Sequence, residues 1–357
     1  MTPSDQSPEA ELQSDINSLK LSIDSLRGKV TLANMRDQVS DLHNGTLGLG
    51  QRLKDLRVRN YNFEKSLNAK ASDMAMRWAS IRGNVDSQLI MQSTMLQNDM
   101  RSIDAQMPQL VSVSSNVGLA RPLLAAIKTS VQSLEGRASA ASTAIGNLFD
   151  AYQDEYKQLD KHLDEVTWAL DRRDEATFRL LATEGIVMAV NATWARNGKE
   201  NNNDPKGILY LTDQRLLFEQ KQEIATKKFL FITTASEMVH KLLFETLVAL
   251  VQDVTASKQG FFKNEDFIDM HLASGAPFPT ATFHLNGQDS GGWANLIRQV
   301  KAHELDADRA VAIDPAELEK VKSAPSKCPS CGGAIYQPIL RGQDTINCEF
   351  CGAVIRL

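Results

Sequence analysis

What this chain of 357 residues lacks narrows its class before anything it contains does. No cysteine stands before residue 328, so disulfides cannot staple the greater part of the chain. Thiols confined to one end fit a reducing compartment where they serve a metal. Long apolar runs are missing too: Leu247-Val248-Ala249-Leu250-Val251 falls far short of the ~20 residues that a membrane-spanning helix takes. Any membrane contact is therefore expected to be peripheral. Basic excess is absent, since 39 Lys and Arg against 44 Asp and Glu leave a net charge of -5. That argues against the electrostatic footprint of a general nucleic-acid binder. A phosphate loop is lacking, because Gly28-Lys29 and Gly198-Lys199 have neither the upstream glycine nor the following Ser or Thr. Gly48-Leu49-Gly50 lies between helical patterns rather than after a strand. Gly287-Gln288-Asp289-Ser290-Gly291 has the wrong spacing for a nucleophile elbow, and Ser290 serves better as a helix cap. The histidines, at 43, 162, 240, 271, 284 and 303, are scattered; His271 and His284 alternate with apolar residues and read as barrel wall. No catalytic constellation emerges, and the chain is read as not an enzyme.

Helical periodicity fills the first half. Residues 1–10 are polar and carry Pro3, Pro8, Asp5 and Glu9, so a disordered leader is expected there and not a signal peptide. Leu12, Ile16, Leu19, Ile23, Leu26 and Val30 then step by fours and threes, the a/d seam of a coiled coil. Glycines at 45, 48 and 50 predict a turn or weakened hinge. A second helical stretch runs from Leu53 to Ile103, with Pro108 expected to close it. After Pro122 the seam resumes with Ile127, Val131, Leu134, Ala138, Ala141, Ile145, Leu148 and Tyr152. A four-residue step to Tyr156 reads as a stutter before Leu159, Leu163, Val166 and Leu170. The spacing leaves open whether these arms pack within one chain or between chains. The plain reading is a spacer and oligomerisation stalk. A membrane-remodelling hairpin would need a basic or strongly apolar outer face, which the pattern does not offer. Met74, Met91, Met95, Met100 and Met107 read as packing filler.

Near Leu180 the heptad spacing gives way to alternation. Ile186, Met188, Val190, Ala192 and Trp194 are expected on one face of a strand. A hairpin follows: Ile208, Tyr210 and Thr212 point to one face, Leu209 and Leu211 to the other, and Asp213-Gln214 makes a two-residue connection. Asp213 is expected to cap that turn with its own carboxylate. Phe229 to Ile232 predicts a further strand, and Ser236 with Met238, Val239, Leu242 and Leu243 a short capped helix. Three more strands are read at Leu250–Ser257, Phe267–Leu272 and Thr280–Leu285. Trp293, Leu296, Ile297 and Val300 then form one stripe of a helix. Asp314-Pro315-Ala316-Glu317 opens another, polar helix before the linker Ser323–Ser326.

The stretch Leu209-Tyr210-Leu211-Thr212-Asp213-Gln214-Arg215-Leu216-Leu217-Phe218 resembles the L-x-x-T-D-x-R-L-L-F signature of GRAM and bacterial pleckstrin-homology-like domains. The resemblance covers about Glu184 to His303 and implies a β-barrel whose open end is plugged by a terminal helix. The short helix expected at Ser236 departs from that plan. Some members of the resembled family bind lipid headgroups, for which the candidate contacts are Lys199, Lys206, Lys221, Lys227 and Lys228. Glu200, Asp204 and Glu223 are interleaved with them. Solvated loop lysine is the plainer reading, and peptide binding or scaffolding would account for the domain as well.

Cys328-Pro329-Ser330-Cys331 and Cys348-Glu349-Phe350-Cys351 are sixteen residues apart, within the range of zinc sites. Each C-x-x-C turn presents two thiolates from one knuckle, and Gly332 and Gly352 let the backbone turn so that amides point at sulfur. The pattern resembles the zinc ribbon family, with Ile335-Tyr336, Thr345-Ile346 and Val354–Arg356 as its short strands. A redox dithiol would need a βαβ context that is missing, and a module of this size needs a staple to fold. Four thiolates fill the coordination of the metal, so function would lie on the module's surface. Lys327, Arg341 and Arg356 against Asp344 and Glu349 give little affinity for phosphate.

The fold class expected is multidomain α + β. It comprises a leader (1–10), a helical coiled coil or bundle (11–175), a GRAM or pleckstrin-homology-like β-barrel with terminal helix (184–303), a short helix and linker (304–325), and a four-cysteine zinc ribbon (326–357). The function expected is that of a cytoplasmic, bacterial, non-enzymatic adaptor that self-associates into a homo-oligomer through its coiled coil. It would dock protein partners, or peripherally an anionic membrane surface, and hold one structural zinc on Cys328, Cys331, Cys348 and Cys351. Two alternatives stand beside it: a membrane-stress or membrane-remodelling factor polymerising through its helices, and a zinc-ribbon regulator associated with nucleic acid.

Overall fold

The computed structural model describes residues 7–229, 232–260, 262, 264–337 and 339–357, and between 224 and 237 the backbone only. Two compact units divide the chain: residues 1–50 with 70–160, and residues 51–69 with 161–357. The first five helices are α1 (Pro8–Val30), α2 (Ala33–Val58), α3 (Ser66–Ser112), α4 (Val117–Gly146) and α5 (Asp150–Asp174). The expected leader lies outside the described residues up to position 6, and from Pro8 the chain is already helix. Ser7 caps it by accepting from the Ala10 N–H, and Pro8 sits where its missing donor has no intrahelical role.

In the first unit α1 and α4 run parallel, with Glu11 against Arg121, Asp15 against Lys128 and Lys29 against Glu135. Helix α3 runs antiparallel to α2: Arg36 donates to Ser93 at 2.8 Å, and Trp78 Nε1 donates to His43 Nδ1 at 3.2 Å. Leu12, Ile16, Leu19, Ile23, Leu26 and Val30 are buried here, as are Ile127, Val131 and Leu134. The seam, whose spacing suited packing within one chain or between chains, is buried within the single chain.

The glycines at 45, 48 and 50 do not break α2, which runs through them. Gly45 serves close approach instead, since a Cβ there would lie 2.1 Å from the Tyr156 hydroxyl. One break falls at Leu32, whose φ of 53° is left-handed. Another falls at 147–149, where Phe149 is buried and Leu148 exposed. Phe149 meets Trp78 edge-on while Tyr152 stacks on the same indole, so aromatic packing absorbs the step in the heptad pattern. Pro108 does not close α3 either; the helix continues to Ser112. Met74 and Met100 are buried as filler, whereas Met91 and Met95 are half-exposed.

The second unit holds strands β1 (Ile186–Trp194), β2 (Lys206–Thr212), β3 (Arg215–Phe229), β4 (Ile232–Leu247), β5 (Val251–Gln259), β6 (Glu265–Leu272) and β7 (Thr280–Asn286). They form one antiparallel sheet in the order β4-β3-β2-β1-β7-β6-β5. The sheet is open and not the closed barrel expected. Helix α6 (Ser290–Lys301) packs beside β5: Arg298 donates to the Val254 carbonyl at 2.7 Å, and Lys301 to that of Gln252. Asp289, not Ser290, caps α6, accepting from the Gly292 N–H.

Where a short helix was expected from Ser236, the backbone is strand. Arg215–Phe229 and Ile232–Leu247 pair along nearly their whole lengths, and that ladder overrides a local helical spacing. A register shift between Ile186 and Met188 also changes the face on which β1 begins. Ile186 joins Ala189, Ile208, Tyr210, Leu217 and Phe178 on one side of the sheet, together with Ala169 from α5. Trp194, Phe218, Phe244, Phe278 and Phe283 interlock in edge-on and stacked contacts. His271 stands opposite Thr280 and His284 opposite Phe267, so the two do not meet; His284 pairs with Glu200 at 2.5 Å.

Helix α7 (Pro315–Ser323), capped by Asp314, leads to the cysteine module, whose strands β8 (Thr345–Asn347) and β9 (Val354–Arg356) pair antiparallel. Residues 335–336, expected as a third strand, are not one; the contact beside them is a lone bridge between Lys327 and Ala334. Among the described residues no helix is long and apolar enough to cross a membrane.

Candidate metal centre and the turn that carries it

Cys328, Cys331, Cys348 and Cys351 bring their sulfurs within 4.8 Å of one another. Two Sγ···Sγ separations are 3.8 Å (Cys328–Cys351) and 3.7 Å (Cys331–Cys348). Thiolates ~2.3 Å from a tetrahedral metal stand ~3.8 Å apart, whereas a disulfide needs ~2.05 Å. The donor set therefore fits a metal ion, and the four thiols are free. Both knuckles are built alike. Gly332 N–H donates to the Cys328 carbonyl and Gly352 N–H to that of Cys348, while Cys328 N–H donates to Gly333 and Cys348 N–H to Ala353. Gly332 and Gly352 share a φ of 73°, which lets each turn close.

Charge in the cluster is divided unevenly. The backbone N–H of Cys331, with that of Ser330, holds the Cys328 thiol down to about 6. The Gly333 amide pulls Cys331 the same way, but hydrogen bonds with Cys351 and the other thiols, and burial, push it up to about 12. Neighbouring thiolates repel one another, and a cation among them relieves that repulsion.

The hairpin turn between β2 and β3 carries this module. Asp213 was expected to cap its own turn, but Thr212 does so: its hydroxyl accepts from the N–H groups of Gln214 (3.0 Å) and Arg215 (2.6 Å). The Asp213 carboxylate is thereby free to reach outward. It accepts from Gly185 N–H at 2.9 Å, Arg309 Nη1 at 2.7 Å and Arg341 Nη2 at 2.5 Å. Gln214 grips the same arginine by its backbone, its Oε1 accepting from Arg341 N–H at 2.7 Å and its Nε2 donating to the Arg341 carbonyl at 3.2 Å. Glu317 of α7 accepts from Gly342 N–H at 3.0 Å. Beside this joint Arg215 is paired with buried Glu184 at 2.5 Å and with Glu245 at 2.6 Å. Burial lowers the affinity of Arg215 for its proton, but these two carboxylates hold it above its ordinary value.

The remaining expected residues fall into two groups. Lys199 is exposed in the loop after β1 and Lys206 is exposed at the start of β2. Gly207 faces Gln220, so Lys206 stands near Lys221, which is paired with Glu175. Lys227 lies six residues further along β3, ~20 Å at ~3.3 Å per residue. The side chains of Lys227 and Lys228 lie outside the described residues. Arg341, counted from sequence among the cations of the module, is only 7% exposed and committed to Asp213. Nothing in its spacing marked it, because its partner is 128 residues away.

No protein-family model matches the chain, and no curated protein matches it. Among solved structures it is similar to the Vps36 N-terminal PH domain, at 14% identity over 36% of this chain and 86% of that one, with a TM-score of 0.25. It is also similar to the PDZ-RhoGEF DH/PH domains in complex with GTP-gamma-S activated RhoA, at 13% identity, 84% and 96% coverage and a TM-score of 0.23. The DH/PH domains of p115-RhoGEF match at 11% identity, 83% and 98% coverage and a TM-score of 0.21. Likenesses at these scores decide neither the fold nor the function.

Proposed function

We propose that this chain is a non-enzymatic adaptor in which a pleckstrin-homology-like sheet and a zinc ribbon form one docking body, with the helices as a spacer. The observation that carries the reading is the double grip of Asp213 and Gln214 on Arg341. A zinc module tethered for its own use would not need its loop locked to a hairpin turn by a buried guanidinium and an amide bonded through both its oxygen and its nitrogen. Zinc suits four thiolates at tetrahedral separation, and with the coordination full its role is to fold the module and fix its surface. With Arg341 committed, Lys327 and Arg356 remain against Asp344 and Glu349, which supports protein docking over binding to a polyanion.

Two measurements on the full chain test this. Metal analysis should find zinc at stoichiometric level in the purified protein and lose it in Cys328→Ser. Co-sedimentation with anionic and neutral vesicles, and with duplex DNA, across a salt series should show no salt-sensitive binding. Binding to anionic vesicles that falls with salt would move the sheet to a membrane surface, and binding to DNA would favour the nucleic-acid regulator.

A further inference from the structure

Locking the Arg341 loop onto the hairpin turn leaves a cleft of about 710 Å³ between the cysteine module and the end of β4. Leu247, Leu250 and Leu340 give it apolar wall, Tyr336 stands at its mouth, and Glu245 and Glu349 carry its charge. We infer that this cleft is a docking site for an extended segment of a partner protein bearing apolar side chains and at least one Lys or Arg. The inference rests on the adaptor reading above and names the partner chemistry that reading leaves open.

Three features single out this occupant. The first is backbone. Strand β4 is the outermost strand of the sheet, and Glu245, Thr246 and Leu247 on it line the cleft. Its outer edge has no strand partner among the described residues, so an extended chain can pair there as an added strand. A compact ligand would make no use of that edge.

The second feature is charge. No Lys, Arg or His lines the cleft among the described residues. Glu245 is bonded to Arg215, but that guanidinium also serves Glu184, so two carboxylates share one cation and a negative charge remains. Glu349 is exposed and adds a second. The complement is a cationic side chain, which also discriminates against acidic segments.

Exposure is the third. Tyr336 is 77% exposed and Phe350, next to Glu349, 65%. Tyr336 lines a cleft whose walls are partly apolar and partly polar, and an aromatic left standing there is an anchor for a protein surface, because burying it in a partner returns the area it holds in water. A pocket for a small molecule would enclose most of its ligand, and these walls run out to the surface instead.

The experiment pans a random linear peptide library on the full-length, zinc-loaded chain, and on Tyr336→Ala and Glu349→Lys. Both positions are exposed, so zinc content and circular dichroism should match the parent. Enriched peptides should combine apolar residues with Lys or Arg. A labelled enriched peptide should bind either variant about tenfold more weakly than the parent. The same peptide should slow amide exchange at residues 245–247. Enrichment of acidic peptides, or equal affinity for parent and variants, overturns the cleft while leaving the adaptor reading in place with another surface. An absence of any enriched peptide also overturns it, and the vesicle and DNA measurements then judge the adaptor reading separately.

Discussion

Asp213 and Arg341 are 128 residues apart in sequence and meet at 2.5 Å, carboxylate Oδ2 to guanidinium Nη2, with both side chains less than a tenth exposed. Four stretches of chain converge on that one carboxylate. They are its own hairpin, the start of β1 through Gly185, the segment after α6 through Arg309, and the loop between the two cysteine knuckles. Arg309 in turn lies over the ring of Phe63 at 4.7 Å, which adds the connection between α2 and α3.

Removing the carboxylate leaves two buried guanidinium groups without their shared anion. Breaking a buried pair in this way costs about 3–5 kcal/mol. Asp213→Ala should therefore lower the melting temperature of the protein markedly, and Asp213→Asn, which keeps an acceptor but not the charge, should fall between. Calorimetry of the three proteins checks this, and equal melting temperatures would remove Asp213 as a structural joint.

Chelating the metal proposed for the four cysteines should unfold the cysteine module and loosen its grip on the turn while sparing the sheet. Small metal modules draw their folding energy from the ion, whereas the aromatic cluster around Trp194 and Phe283 is built from residues of the sheet and the loop before β7. Hydrogen exchange should speed up at the amides of Cys348, Gly352 and Leu357, which bond within the module, and at Arg341 and Gly342, which bond outside it. Unchanged protection of those amides in metal-free protein would contradict this.

Gly45→Ala should destabilise the helical unit by about 1–3 kcal/mol, because the new methyl meets the hydroxyl end of the half-buried Tyr156 ring, which must shift to admit it. Gly48→Ala and Gly50→Ala meet nothing within 4 Å and should each stabilise α2 by roughly 0.5–1 kcal/mol. Chemical denaturation separates the two cases. A neutral Gly45→Ala would mean that the ring shifts freely.

Glu64 links stability to pH. Burial pushes its carboxyl up, but hydrogen bonds from His162 and Tyr61 outweigh that and hold it below the ordinary value of 4.5. Tyr61 is pushed the other way, well above 10, by its burial and by that same carboxylate. A carboxyl depressed in the folded state adds stability that is present above its ordinary value and is lost as the pH falls through the folded one. Glu64→Gln should accordingly be destabilised at neutral pH and should approach the parent as the pH falls below 4.5 and through the lowered folded-state value. A mutational penalty that stayed constant with pH would show that the charge of Glu64 is not the source.

By itself the sequence determined what depends on local period and spacing. The seam from Leu12 to Val30, the hairpin from Gly207 to Phe218, the stripe on α6 and the four cysteines were all legible there. Each rests on side chains a few residues apart that must share one face or one knuckle. The tertiary structure decided what depends on distant partners. Gly45 belongs inside α2 because Tyr156 packs against it. Residues from Ser236 are strand because β3 offers them a ladder, and β4 and β5 are left as the two edges of the sheet. The turn at Asp213-Gln214 looked self-contained, since turn chemistry alone accounts for an aspartate there. Only in the folded chain does Thr212 take over the capping and release that carboxylate to Arg341, because a buried charge takes its value from the groups that the whole fold brings around it.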